Sequence, residues 1–315
     1  MKDIDPIAIN RIDDSHTVRI DWFLGKRCNY DCSYCGDFLH DNFSKHKSLA
    51  ELRSVIDNIA KTIDPGLIRI GFTGGEPTVN PALVDFCKYL NSIKIAFVSI
   101  TSNGTRTIKY YKNLLTYIDS IMFSQHFEFS NTDVFIHKIK KISEINPKTS
   151  VQVMFNANHF EEAKKSINFY KEHNIKYTLR RIREISSPSS AHLYTKEQLD
   201  WFFSEQKSES SGNNAIVFYK NNNEVKSTEV HVNEISSSLK NRFKGWTCWA
   251  GIYTLTIWND DMLYRGSCQE GGIINSIYDK VITLPTEPIV CKKTTCVCAP
   301  EIIVKKLKNP NDPVI

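Results

Sequence analysis

The chain has no apolar run approaching the length of a membrane-spanning helix, so no transmembrane segment is expected. Its first residues lack the apolar core of a secretory signal and carry Lys2, Asp3 and Asp5 instead, which points to a cytoplasmic location with reduced thiols. Neither sign of charge is in great excess: 40 Lys and Arg against 35 Asp and Glu leave +5. That balance gives no support to a nucleic-acid partner and weak support to an anionic substrate. Zinc sites usually draw C-x2-C pairs from two separate loops, and no such pattern forms near Cys28. With 315 residues, 41% of them hydrophobic, the chain can bury one large core and a smaller second one.

What is present starts with three cysteines within eight residues, Cys28, Cys32 and Cys35, in C-x3-C-x2-C spacing. A 4Fe-4S cluster used only for electron transfer usually takes four cysteine ligands, so three leave one iron open to something other than protein. Residues 17–183 alternate short β-branched runs with amphipathic stretches of helical length, the pattern of repeated βα units around a parallel sheet. Strands are expected over 18–24, 67–73, 95–102, 120–126, 151–156 and 176–182. Helices are expected over 48–62, 81–90, 108–116, 132–145 and 160–173. Chemistry in parallel barrels sits at the carboxyl ends of the strands, and the motifs fall there. The cysteine loop follows the first strand and Gly74-Gly75-Glu76-Pro77 the second, and Thr101-Ser102-Asn103-Gly104-Thr105 ends the third. The fourth ends in Ser124, Gln125 and His126 and the fifth in Asn156, while the sixth carries Arg180 and Arg181. Glycines allow positive φ and close approach of a ligand. An arginine fork suits a carboxylate, and only one of Arg180 and Arg181 can face the barrel interior.

On the three cysteines, Tyr34 before the third of them, Gly74 to Pro77 and the Thr101 to Thr105 segment, the chain resembles the radical S-adenosylmethionine (radical SAM) superfamily. The resemblance implies a partial (β/α)6 barrel whose Cys28, Cys32 and Cys35 hold a 4Fe-4S cluster with S-adenosylmethionine chelating the open iron. Reductive cleavage would then give a 5'-deoxyadenosyl radical that abstracts a substrate hydrogen atom, with a flavodoxin- or ferredoxin-like reductant as partner. Tyr34 would lie beside the adenine. Gly74, Gly75, Glu76 and Pro77 would hold the amino group, and Ser102 and Asn103 the ribose. Ser124, Asn156 and one of Arg180 and Arg181 would contact the ribose, the methionine carboxylate or the substrate. His126 reads either as a substrate-side acid or hydrogen-bond donor, or as a hydrogen-bonded interior residue. A β-branched residue at position 75 is expected to block the methionine moiety and leave the cluster intact.

Beyond residue 184 the pattern changes. Residues 185–190 read as a linker, 196–203 as a helix, 208–214 as a polar loop and 216–219 as a strand. A hairpin is expected over 252–265, turning at Asn259-Asp260-Asp261. The boundary expected from this change sets a barrel domain, 1–210, before a small α+β domain, 211–315. Five cysteines lie in the latter: Cys248, Cys268, Cys291, Cys296 and Cys298. Together with Trp246-Thr247-Cys248-Trp249-Ala250-Gly251 and Arg265-Gly266-Ser267-Cys268 they resemble the twitch domain, the shortened form of the SPASM extension of radical SAM enzymes. That implies an auxiliary 4Fe-4S cluster on Cys248, Cys268, Cys291 and Cys296, with Cys298 as a spare thiol or, in place of Cys296, the fourth ligand. Four thiolates also suit zinc. Cys87 reads as a small core residue. The reaction is then oxidation through the auxiliary cluster, giving a dehydrogenated or cross-linked product, or a redox-neutral epimerisation or rearrangement with Cys298 returning hydrogen. A non-enzymatic electron-transfer or sensor protein is the alternative to both. A first strand near residue 17 leaves no room for a leader-binding domain before it, and the substrate is a peptide or a small molecule.

Overall fold

The computed structural model describes residues 4–12, 16–182, 190–205, 214–222 and 224–309; the linker expected over 185–190 and the polar loop over 208–214 fall almost wholly outside them. Strand β1 (Pro6–Arg11) comes first. Then β2 (Val18–Phe23), α1 (Leu49–Ala60), β3 (Ile68–Thr73), α2 (Leu83–Ser92), β4 (Phe97–Ser102), α3 (Ile108–Leu114), β5 (Ser120–Gln125), α4 (Thr132–Ser143), β6 (Thr149–Phe155), α5 (Phe160–Glu172) and β7 (Lys176–Arg181) alternate along the chain. β2 to β7 neighbour one another in chain order, with parallel registers from β4 to β5, β5 to β6 and β6 to β7. This is the partial (β/α)6 barrel that the alternating pattern predicts.

Period and burial explain the elements. Ile68, Ile70 and Phe72 of β3 are buried on one face, as a period of two requires. α4 buries Phe135, Ile136, Ile139 and Ile142, a stripe at helical spacing, and starts at Asn131, whose side chain accepts from the Val134 N–H. Cys87 lies in the buried stripe of α2 with Leu83, Phe86 and Leu90, a core residue as expected. Between β5 and α5 a buried polar relay is satisfied: Tyr170 donates to Gln125 (2.8 Å), which donates to Ser166 (2.9 Å).

The contacts divide into two compact units. One holds the described residues of Phe23–Ser54 and Ile70–Ser211, including α6 (Lys196–Glu205); the other holds those of Met1–Trp22, Val55–Arg69 and Gly212–Ile315. In the latter lie β8 (Asn214–Asn221), β9 (Glu224–His231), α7 (Val232–Ser237), β10 (Thr247–Cys248), β11 (Thr254–Ile257), β12 (Met262–Tyr264), β13 (Ile273–Ser276), β14 (Ile289–Val290), α8 (Ala299–Ile303) and β15 (Lys306–Leu307). The expected hairpin is β11 and β12, paired antiparallel with Ile257 opposite Leu263, and Asp261 in the turn has φ of +63°. A second, antiparallel sheet runs β14-β10-β15-β1-β8-β9. The chain before residue 17 therefore forms a strand, β1, held between C-terminal strands. β11 in turn pairs parallel with β2, Thr254 opposite Arg19. No helix among the described residues is long and apolar enough to cross a membrane.

Candidate functional site

Phe23, Thr73, Thr101, Ser102 and Ser124, at the ends of β2 to β5, surround a cavity of about 240 Å³ together with Gln152 and Met154 of β6. Its walls also carry Cys28, Cys32, Cys35, Gly74, Gly75, Glu76, Asn103 and His126. A single buried water needs roughly 10–15 Å³, so this space takes an organic ligand. Three thiols of one loop facing such a space are not a filled core.

The loop that carries the cysteines is held from both sides. The Cys28 N–H donates to the Asp41 carbonyl (2.7 Å), the Asp41 N–H to the Lys26 carbonyl (2.8 Å) and the Glu76 N–H to the Arg27 carbonyl (2.9 Å). Gly75 has φ of +49°, and a Cβ there would lie 2.3 Å from the Arg27 carbonyl oxygen and 2.6 Å from that of Lys26. The glycine is thus required by the backbone just before Cys28. This corrects the expectation that a β-branched residue at 75 leaves the cluster loop intact.

Burial pushes the Cys28 thiol up, that of Cys32 up to about 12 and that of Cys35 up to about 11. Metal binding must therefore release protons from these thiols. The donor set is three soft sulfurs, which suits an iron-sulfur cluster. Among the described residues no three His, Cys, Asp or Glu side chains gather as around a single ion; a cubane instead spreads its thiolates over separate irons.

Glu76 is buried and its carboxylate is engaged. Oε1 accepts from the Thr78 N–H (3.0 Å), the Thr78 hydroxyl (2.5 Å) and the Ser102 hydroxyl (2.9 Å), and Oε2 from the Asn103 N–H (2.6 Å). Burial raises its pKa while these donors lower it. The acid that the resemblance assigns to an amino group therefore also ties the ends of β3 and β4 together. Pro77 follows as the first residue of a 3-10 turn, a place without need of an N–H, and does not line the cavity. Asn103 donates to the Asn29 side chain (2.9 Å), and Asn29 donates to Thr105 (3.0 Å), which binds the cysteine loop to the β4 end.

His126 lines the cavity, with Nδ1 2.8 Å from the Tyr34 hydroxyl and 3.5 Å from the Cys32 sulfur. Desolvation pushes it down to about 4. A neutral ring is a poor proton-donating acid, and the contacts of His126 are those of a hydrogen-bonding residue. Tyr34 is buried beside Ile182 and Ala191 and is not on the cavity wall. Asn156 is buried too: its side-chain oxygen accepts from the Asn158 N–H (2.9 Å) and its amide donates to Glu128 (3.1 Å). Neither Arg180 nor Arg181 lines the cavity; the Arg181 guanidinium packs 5.9 Å from the Tyr194 ring and 5.8 Å from that of Phe202.

Gln152, Met154 and His40 also line the cavity without being among the expected site residues, and Glu128 braces the cysteine loop. Gln152 and Met154 alternate along β6 in step with Asn156 just beyond its end, so period two was an available signal for the first two. Glu128 accepts from the Ser33 N–H (2.8 Å) and hydroxyl (2.6 Å), within the cysteine motif, and nothing local marks it. A hydrogen bond to a charged acceptor contributes about 1.5–3 kcal/mol, less where solvent reaches it. At about 1 kcal/mol, Glu128→Ala is expected to release iron to a chelator about five-fold faster than wild type. An unchanged release rate removes Glu128 from the loop's support.

The five cysteines beyond residue 184 lie in the other unit. Cys248, Cys291 and Cys296 are buried in one core cluster with Phe243 and Trp246. The Cys291 N–H donates to the Trp246 carbonyl (2.9 Å), and Asn241 donates to the Cys296 carbonyl (2.7 Å). Burial pushes up the thiols of Cys268, Cys291 and Cys296, and negative charge on Cys248 would add to the rise at all three. Glu301, 2% exposed, accepts from the Ser267 N–H through Oε1 (2.8 Å), beside Cys268, while its Oε2 has no hydrogen-bond partner among the described residues. Cys298 stands at the N-cap of α8.

The family model described as the Radical SAM superfamily matches residues 22–182. Among curated proteins, GTP 3',8-cyclase of Clostridium perfringens (strain SM101 / Type A) is 30% identical over 95 residues, 29% of either chain. GTP 3',8-cyclase of Helicobacter pylori (strain HPAG1) is 31% identical over 109 residues, 34% of this chain and 32% of that one. The matches thus span about a third of those relatives. Among solved structures, Streptococcus suis SuiB bound to the precursor peptide SuiA superposes with a TM-score of 0.55 at 16% identity, over 84% of this chain and 64% of that one. Native anSMEcpe with bound AdoMet gives 0.53 at 14% identity, over 84% and 78%.

Proposed function

The chain belongs to the radical SAM superfamily, and from that premise we propose that it oxidises a peptide or small natural product with the help of an auxiliary 4Fe-4S cluster. Cys28, Cys32 and Cys35 would hold the first cluster, and S-adenosylmethionine bound there supplies a 5'-deoxyadenosyl radical on one-electron reduction by a flavodoxin- or ferredoxin-like partner. Gly74 and Gly75 leave backbone room at the cavity wall, while Glu76, Ser102 and Asn103 order its polar side. The substrate would lose a hydrogen atom to that radical, and the auxiliary cluster, held by Cys248, Cys268, Cys291 and Cys296, would supply the acceptor for one electron while a proton leaves to solvent. The product is two hydrogens lighter, and an external one-electron carrier takes the electron away.

The observation that carries this reading is the burial of Cys248, Cys291 and Cys296 in one core cluster, with Cys268 in the same unit. Cys296 supports the role of fourth ligand better than Cys298, since it shares the core cluster with Cys248 and Cys291. A redox-neutral reaction with Cys298 as hydrogen donor remains the second reading, favoured by that thiol's place outside the core cluster. Cys248→Ala is expected to remove about four irons per chain and to stop product while S-adenosylmethionine is still cleaved. Cys298→Ala should keep all the iron and the product. Product of unchanged mass that disappears in Cys298→Ala establishes the second reading, and Cys248→Ala with full iron and normal product overturns the auxiliary cluster.

A further inference from the structure

We propose that Lys306 is the fixed charge that sets the reduction potential of the auxiliary cluster, an inference that rests on Cys248, Cys268, Cys291 and Cys296 being its ligands. Lys306 lies directly opposite Cys248 in the antiparallel β10–β15 pair, and opposed residues project to the same face. It is 1% exposed. Lysine is almost never so buried unless it is paired, because desolvating an ammonium is costly. Here the pairing is unusual.

Nζ donates to three main-chain carbonyls, those of Glu301, Ile302 (3.4 Å) and Val304 (3.2 Å), and sits 4.9 Å from the Phe243 ring. Three carbonyls satisfy the three donors of an ammonium. They supply no counter-charge, however, so the positive field extends to the neighbouring groups. Those neighbours include thiols, since Phe243, over whose ring Nζ sits, is buried in one cluster with Cys248, Cys291 and Cys296; the buried carboxylate nearby, Glu301, is turned to the Ser267 N–H beside Cys268. A second cation, Arg265, is tied by Nη1 to the carbonyls of Ala250 (3.1 Å), two residues after Cys248, and Glu287 (3.0 Å).

Four thiolates around an iron-sulfur cluster make an anionic group whose reduction adds one more negative charge. A fixed positive charge in low-dielectric surroundings favours the reduced form and raises the potential. A raised potential is what an electron acceptor for a substrate radical requires. Capping the last carbonyls of α8 alone explains the three hydrogen bonds, and it would not move a potential in the way charge does.

The test is an EPR-monitored redox titration of the reconstituted full chain, in which the signal lost in Cys248→Ala identifies the auxiliary cluster. Lys306→Met is expected to lower the midpoint potential of that signal and leave the other unchanged, while Lys306→Arg restores it. Where Lys306→Met loses iron, Lys306→Gln keeps two donors without the charge and is expected to show the same drop. A wild-type potential in the neutral variant that retains the cluster overturns the proposal, as does an equal drop in Lys306→Arg. Wild-type protein with a single cluster instead sinks the ligand assignment, and that outcome shows in the iron count before any titration.

Discussion

Replacing Cys28, Cys32 and Cys35 together with alanine abolishes 5'-deoxyadenosine formation and removes about four irons per chain. The three thiols line one cavity with Gly74, Gly75 and Glu76, and no other cysteine does, so no thiol can stand in. The loss should be complete, because without the cluster there is no electron donor beside the sulfonium. The fold should survive: Cys28 and Cys35 are only half-buried, and the loop's backbone bonds to Asp41 and Glu76 do not use sulfur. Iron analysis, and chromatography of the reaction under strong reductant, read both effects. 5'-Deoxyadenosine from the triple variant would place the catalytic cluster elsewhere in the chain.

Gly75→Val is the second large effect, and it is expected to abolish iron binding at the first cluster and S-adenosylmethionine binding together. A side chain in the left-handed region costs roughly 1–2 kcal/mol. Forcing atoms into a packed site adds typically 1–3 kcal/mol. Both fall on one point, since the new Cβ would meet the carbonyls of Lys26 and Arg27. Those carbonyls accept from Asp41 and Glu76 and set the position of Cys28, so strain there is relieved by moving the ligand loop. Against a total stability of about 5–15 kcal/mol the domain stays folded, and circular dichroism should confirm it. Full iron with lost cofactor binding would show instead that the glycine serves only the approach of the ligand.

The barrel was legible because its signals are local. Hydrophobic period two, period 3.6 and strand-end placement each depend on a few consecutive residues, and the six strands and five helices expected over 18–182 all formed within a few residues of their expected ends. The cysteine loop, Gly74 to Glu76, Ser102, Asn103, Ser124 and His126 were legible on the same ground: in a parallel barrel, position after a strand determines position at one mouth.

The orientation of side chains was not legible. Tyr34, Asn156 and Arg181 carry the right chemistry for a ligand, yet packing turned Tyr34 onto His126, Asn156 onto Glu128 and Arg181 onto aromatic rings. Each preference is decided by neighbours distant in sequence, such as Ser33 and Glu128, 95 positions apart. Long-range pairing likewise placed β1 between β8 and β15, which no pattern within residues 6–11 announces. By itself, then, the sequence determined the alternating βα order, the chemistry of three thiols in one loop and the glycine turn beside them, because spacing along the chain carries that information. The tertiary structure alone decided which polar groups face the cavity, what Glu76 and Lys306 touch, and which strands surround Cys248, because burial and hydrogen-bond satisfaction are settled only when remote segments meet.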